Sequence, residues 1–440
     1  MIDFAARRWA YMERIGDGVA ILPAAPTFIK TADQEHQYRP DSDLYYLTGF
    51  AEPEAVAVLA PHHPDHKFIL FVRPRDKTME TWNGRRAGLE GARQRYGADA
   101  AYPIDQLDAV LPQYLEGVSA VHYHFGHDKV FNDRVHGWLA AMQRKVRNGI
   151  TAPHIMVDTQ VILHEMRLRK SPDEVALMRR AAEIAAAGHR KAMSTTEPGQ
   201  REYEVQAELE YVMRKGGAMG PSYGSIVGGG FNATILHYHE NSDILNDGDL
   251  LLIDAGAEVE YYASDITRTF PVSGTFTAAQ REVYEVVLWA QEAALGQCQP
   301  GKRFCDVHGA AVRTIVEGLV HLGVLKGHVD DLIAQEAYKP YYMHKTSHWL
   351  GMDVHDVGVY KVGGEWRELE PGMVLTVEPG LYFGEDTDSA AARYRGIGIR
   401  IEDDVLITHD GYDVLTKDVP KAIDEIEGLM RKRSAAAAMP

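Results

Sequence analysis

Cysteine is nearly absent from this chain of 440 residues: Cys298 and Cys305 are the only two. So sparse a supply excludes a disulfide framework and suits a reducing compartment. Both thiols read as ordinary core or surface groups. Long apolar runs are also missing, and none reaches the roughly 20 residues that a membrane-spanning helix needs. The opening Met1-Ile2-Asp3-Phe4 lacks the basic and then apolar pattern of a secretory leader. The expectation is a cytoplasmic protein with no membrane partner. Positive charge is scarce: 46 Lys and Arg stand against 63 Asp and Glu, a net charge of −17. That balance argues against nucleic acid as the main partner. The basic clusters Arg73-Pro74-Arg75 and Arg167-Leu168-Arg169-Lys170 are short and read as solvated faces.

What the chain does have is a nearly repeated segment. Gly248-Asp249-Leu250-Leu251-Leu252-Ile253-Asp254-Ala255-Gly256 aligns without a gap on Gly372-Met373-Val374-Leu375-Thr376-Val377-Glu378-Pro379-Gly380. Each copy is an apolar run ending in one carboxylate and, two residues later, a glycine. An acid at the tip of a buried strand is costly unless it is paired or holds a metal. A second acid follows each copy. Asp265 lies in a stretch where Ala263, Asp265, Thr267 and Thr269 would share one strand face. Glu402 closes Gly396-Ile397-Gly398-Ile399-Arg400-Ile401-Glu402, where the isoleucines face a core and Gly398, Arg400 and Glu402 face away. The two glycines leave room for something close to the backbone. Asp254 would then meet Asp265, and Glu378 would meet Glu402 in the same way.

Four carboxylates cannot gather unneutralised, because like charges at contact raise their pKa values. Two divalent cations relieve the conflict, and carboxylate oxygen suits ions such as Mn²⁺. A histidine would complete the set, with His344, His348 and His355 as candidates. His344 and His348 have the spacing of a zinc helix pair, but Lys345 stands where that motif needs glutamate, which excludes it.

Residues from about 18 to 165 read as α/β, with strands at Val19–Leu22, Ala55–Leu59, Phe68–Val72 and Val121–Tyr123. Helices are expected over Glu90–Tyr96 and Val130–Lys145. The boundary falls near Leu168, giving an N-terminal domain 1–168, a second domain 169–433 and a frayed tail 434–440. Ser171-Pro172-Asp173-Glu174 opens a helix by a capping box with proline at its first position. That helix should reach Met193, with others over Glu202–Lys215, from Thr277 to Leu295, and over Phe304–Leu322. The second domain is thus α+β, with long helices backing a curved sheet and an internal pseudo-two-fold symmetry.

These motifs resemble those of the pita-bread metallopeptidases, and within them the aminopeptidase P branch. The stretches that carry the resemblance include Leu236-His237-Tyr238, Ser264-Asp265-Ile266-Thr267-Arg268-Thr269-Phe270, Ser347-His348-Trp349-Leu350-Gly351 and Asp353-Val354-His355-Asp356. The acid-tipped strands belong to it as well, as do Arg39-Pro40-Asp41-Ser42-Asp43 and Glu80-Thr81-Trp82-Asn83-Gly84 in the first half. The resemblance implies a creatinase-like N-terminal domain and a pita-bread catalytic domain. It implies five metal ligands, Asp254, Asp265, His348, Glu378 and Glu402, holding two divalent ions, with Mn²⁺ favoured. Glu378, His355 and His237 would act on the reacting groups. His344 and Arg400 would bind substrate, and Trp82 would lie near a cleft, its own or a neighbouring subunit's. The implied reaction is hydrolysis of the first peptide bond of peptides with proline second, by hydroxide that two metals generate from water, in a homodimer or homotetramer. Prolidase, which takes only the dipeptide, is the nearest rival. A metal-free peptide-binding module is a rival of another class, and it should have lost ligand acids.

Overall fold

The computed structural model describes residues 2–126 and 128–437. The chain divides into two compact units, Met1–Arg167 and Leu168–Pro440.

In the first unit, α1 (Phe4–Ile15) precedes a mixed six-stranded sheet. Its strands are β1 (Val19–Pro23), β2 (Val56–Leu59), β3 (Phe68–Val72), β4 (Ala100–Pro103), β5 (Ala120–His122) and β6 (Ile155–Val157), in the order β4-β3-β2-β1-β5-β6. β2 and β3 are buried along their whole length, which is why they read as unbroken apolar runs rather than alternating ones. Trp82 sits in α2 (Lys77–Asn83), a short helix with no buried residue, and is 81% exposed. α3 (Lys129–Gln143) packs Phe131, Val135, Trp138 and Leu139 into the core of this unit.

The second unit opens as its sequence directs. Ser171 accepts from the Glu174 amide and the Glu174 carboxylate accepts from the Ser171 amide, so α4 (Pro172–Thr195) begins at a complete capping box. α5 (Glu202–Lys215) follows, then β7 (Ile226–Gly229), β8 (Leu250–Asp254), β9 (Tyr262–Ala263) and β10 (Thr267–Pro271). A second capping box, Thr277 with Gln280, starts α6 (Ala278–Leu295), and α7 (Phe304–His321) comes next. The last strands are β11 (Val374–Val377), β12 (Gly380–Tyr382), β13 (Gly398–Arg400), β14 (Asp403–Thr408) and β15 (Gly411–Val414). The closing helix α8 (Ile423–Ala437) runs into the segment expected to be a frayed tail; residues 438–440 lie outside the described residues.

Two antiparallel sheets hold the acids, β7-β8-β10 and β11-β14-β15. They meet where the Glu402 amide donates to the Thr267 carbonyl at 3.0 Å. Leu251, Ile253, Phe270, Ile399 and Ile401 join α4, α5, α6 and α7 in one core. Each such side chain removed from water contributes about 2 kcal/mol.

Two expectations need correction. The strand expected to run on through Asp265 is broken: β9 ends at Ala263 and β10 starts at Thr267. The Asp265 amide leaves the ladder and donates instead to the carboxylate of Asp404, at 3.1 and 3.2 Å. The hairpins also differ in register. Asp254 faces Thr267, whereas Val377 faces Asp403, which sets Glu378 level with Glu402. Asp265 is therefore not the positional counterpart of Glu402; Thr267 is.

Candidate metal centre

The acids reach one place because each sits at a strand end. β8 delivers Asp254, the break before β10 delivers Asp265, β11 delivers Glu378, and Glu402 immediately precedes β14. One ligating atom each from Asp265, His348 and Glu402 lies within 4.8 Å of the others. His348 Nε2 is 3.6 Å from Asp265 and 3.4 Å from Glu378 Oε1. Asp254 joins through Tyr223, whose hydroxyl stands 2.5 Å from a carboxylate oxygen of both Asp254 and Asp265. The structure therefore gathers all five expected ligands.

Burial and mutual repulsion raise the pKa values of these acids. Burial, with Asp254 beside it, pushes Asp265 up to about 7. Burial again, opposed in part by Arg400 and reinforced by Asp254, pushes Glu378 up to about 8. Glu402 lies well above the usual carboxylate range for the same reason, with Asp265 and Glu378 adding to the burial. His348 points the same way. Its Nδ1 lies 3.0 Å from the Trp349 carbonyl and donates there, which turns the Nε2 lone pair toward the carboxylates. The donor set, four carboxylates and one imidazole, fits a hard or borderline divalent ion.

Hydroxyls orient the ligands. Thr376, fully buried, accepts from the His348 amide at 3.1 Å and donates to Glu378 Oε1 at 3.3 Å. Thr267 donates to Glu402 Oε2 at 2.6 Å. Arg400 is the residue expected beside the substrate. It is 3% exposed, and its guanidinium donates to Asp254 (2.6 Å), Thr267 (3.1 Å) and Tyr382 (3.1 Å). It holds the Asp254 carboxylate and balances charge there. The glycines of the β13 segment are likewise filled from within: a Cβ on Gly398 would lie 2.1 Å from the Ala233 carbonyl.

The remaining histidines border the cluster. The His355 and His348 rings pack edge to face at 4.4 Å. Partial desolvation of the ring, then His348 and His237, lower the pKa of His355. His344 donates from Nδ1 to the Lys345 carbonyl at 2.7 Å and accepts from the Tyr382 hydroxyl at 2.8 Å. Burial, then Arg400, lowers its pKa to about 3, so the ring is neutral and its 3.7 Å approach to Glu378 is not an ion pair. Trp82 belongs to the first unit.

The sequence reading did not single out Tyr223, Tyr382 or Asp404. Tyr382 had a faint signal, since alternation beyond Gly380 returns it to the face of that glycine. Tyr223 lies outside any named strand and had none.

Comparison with known proteins identifies the family. Residues 176–409 match the model of metallopeptidase family M24, and residues 4–123 match that of the aminopeptidase P N-terminal domain. The Xaa-Pro aminopeptidase of Escherichia coli is 48% identical over 97% of both chains. Human Xaa-Pro aminopeptidase 3 is 33% identical over 98% of this chain and 86% of its own. Among solved structures, the aminopeptidase PepP of Pseudomonas aeruginosa superposes with a TM-score of 0.97 at 52% identity, over 98% of each chain.

Proposed function

The chain belongs to metallopeptidase family M24, with an aminopeptidase P domain ahead of a pita-bread catalytic domain, and from that membership we propose that it removes the first residue from peptides whose second residue is proline. The observation that carries the reading is the convergence of Asp265, His348 and Glu402, with Glu378 beside them. Two divalent ions, with Mn²⁺ favoured, would be held by Asp254, Asp265, His348, Glu378 and Glu402. When bound, they supply the positive charge that acidifies a water and polarises the scissile carbonyl.

The side chains do the rest. Glu378, held by Thr376, takes the proton of the attacking water and hands it to the departing nitrogen. His355 and His237, at the open rim, donate to the oxygen that gains charge as the carbonyl becomes tetrahedral. Asp254 meets the free α-amine, which makes the enzyme an exopeptidase, while Arg400 fixes the orientation of that carboxylate. A proline imide brings no N–H, so a small apolar groove near His344 would have no donor to satisfy. His344 itself stays neutral and hydrogen-bonded to Tyr382. Trp82, exposed in the first unit, suits contact with a second subunit of a homodimer or homotetramer. The cytoplasm suits a chain with two cysteines and, among its described residues, no helix long and apolar enough to cross a membrane.

The test is hydrolysis of a Xaa-Pro-Xaa tripeptide beside a Xaa-Pro dipeptide, with metal content measured on the same preparation. The tripeptide should be cleaved in the presence of Mn²⁺, and Asp265→Ala should lose both metal and turnover. Cleavage of the dipeptide alone would make the enzyme a prolidase. Full turnover by Asp265→Ala would overturn the site.

A further inference from the structure

The connection from β7 to β11's counterpart β8 runs from Gly230 to Asp249 and carries His237 near its middle. Connections of this length without regular strands or long helices are ordered only when something inside the fold ties them down. Here the first tie is a buried carboxylate. Glu202, the first residue of α5, is 0% exposed. Its Oε1 accepts from the Gly229 amide at 2.8 Å and from Asn232 Nδ2 at 2.9 Å. Its Oε2 accepts from the Tyr238 hydroxyl at 2.8 Å and from the Asp243 amide at 3.0 Å. These partners lie at the entry, the first turn, the centre and the exit of the segment. Four donors on four acceptor positions is a task for an ionised carboxylate, since glutamine would aim its own N–H groups at two of them.

A second tie lies in the same segment. Asn241 adopts a left-handed backbone, φ +45°, which a side chain tolerates only when other contacts fix it. It is 4% exposed, donates to the Ser225 carbonyl (2.8 Å) and to Gln206 (2.9 Å), and accepts from the Val227 amide (3.0 Å). The segment is thus clamped on both sides of His237, and Tyr238 is its immediate neighbour. His237 itself is exposed, and its neighbour Tyr238 packs in one cluster with Leu252 and with Tyr382, whose hydroxyl meets His344 and Arg400 beside the acids.

We infer that Glu202, acting through Tyr238, is the positioning residue that fixes His237 at the rim of the metal cluster. The inference rests on the peptidase reading above and deepens it. The α5 N-terminus lies 35 residues before His237 in sequence, yet its carboxylate decides where that ring stands. Losing this clamp leaves the ligands in place and lets His237 wander, which costs rate rather than metal.

The experiment is a double-mutant cycle on the Mn²⁺-loaded enzyme with a Xaa-Pro-Xaa peptide, using Tyr238→Phe and His237→Ala. Tyr238→Phe keeps the buried ring and removes only the hydroxyl, so it folds where Glu202→Gln is at risk. Expected is a roughly ten- to hundredfold fall in kcat, with Mn²⁺ content unchanged, and no further fall when Tyr238→Phe is added to His237→Ala. Glu202→Gln, where it folds, should behave the same way. Equal losses from Tyr238→Phe in both backgrounds would make the network merely structural and overturn the inference, as would unchanged kcat in the single variant. An unmutated enzyme that binds Mn²⁺ but cleaves no proline peptide would instead refute the peptidase reading.

Discussion

Glu378 offers a test in which the site is set against the fold. Its side chain is 15% exposed and its pKa is raised from 4.5 to about 8, chiefly by burial. In the metal-free protein the folded state therefore holds a proton that the unfolded chain releases. Stability from this group is fully present below pH 4.5 and is lost as pH rises through about 8. Each pKa unit corresponds to about 1.4 kcal/mol, so at pH 7 the buried acid costs the metal-free fold about 3 kcal/mol. Glu378→Gln removes that cost and keeps the shape. The assay is urea denaturation in chelator at pH 5 and pH 8, followed by the fluorescence of Trp349, which is fully buried beside His348. At pH 8 the chelated variant should be more stable than the chelated native protein by about 4 kcal/mol, and at pH 5 the two should differ little. Saturating Mn²⁺ should reverse the order, because the native site then gains binding energy that the amide forfeits. If the chelated native protein is as stable as the variant at pH 8, the reasoning from buried, mutually repelling acids is wrong.

Three further outcomes are expected. Arg400→Met should weaken Mn²⁺ binding by ten- to hundredfold, read by chelator competition, because Asp254 loses the guanidinium 2.6 Å away; a change in KM alone, at native metal affinity, would restore Arg400 to substrate binding. Lys170→Met should cost about 3–5 kcal/mol, read by the denaturation midpoint, since it strips the ammonium 2.9 Å from Asp356 where both side chains are 1% exposed; a loss under about 1 kcal/mol would mean the pair behaves as a surface one. Gly256→Ala should prevent folding of the second unit or cost more than about 3 kcal/mol, because its Cβ would fall 1.7 Å from the Ser264 carbonyl; a native circular dichroism melt would contradict the close approach.

Much was legible because the local chemistry was self-sufficient. Capping boxes at Ser171 and Thr277 depend on residues three apart, and both helices start where those boxes put them. Apolar runs tipped by Asp254 and Glu378 became strands with the acids at their ends. The break at Asp265 was not legible, because the Asp404 carboxylate that captures its amide lies 139 residues away. The partners of Arg400 were hidden for a similar reason: alternation showed which face it occupies, but not that Asp254, Thr267 and Tyr382 would accept from it.

The sequence by itself settled which residues are chemically costly to bury and the periodicities that carry them to strand ends, since both follow from covalent spacing and polarity. Only the tertiary structure decided the register that sets Glu378 level with Glu402, the tyrosine shared by Asp254 and Asp265, and the clamp that Glu202 places on the His237 segment. Those depend on which distant groups share one desolvated space, where an unpaired donor or acceptor costs more than any local preference can repay.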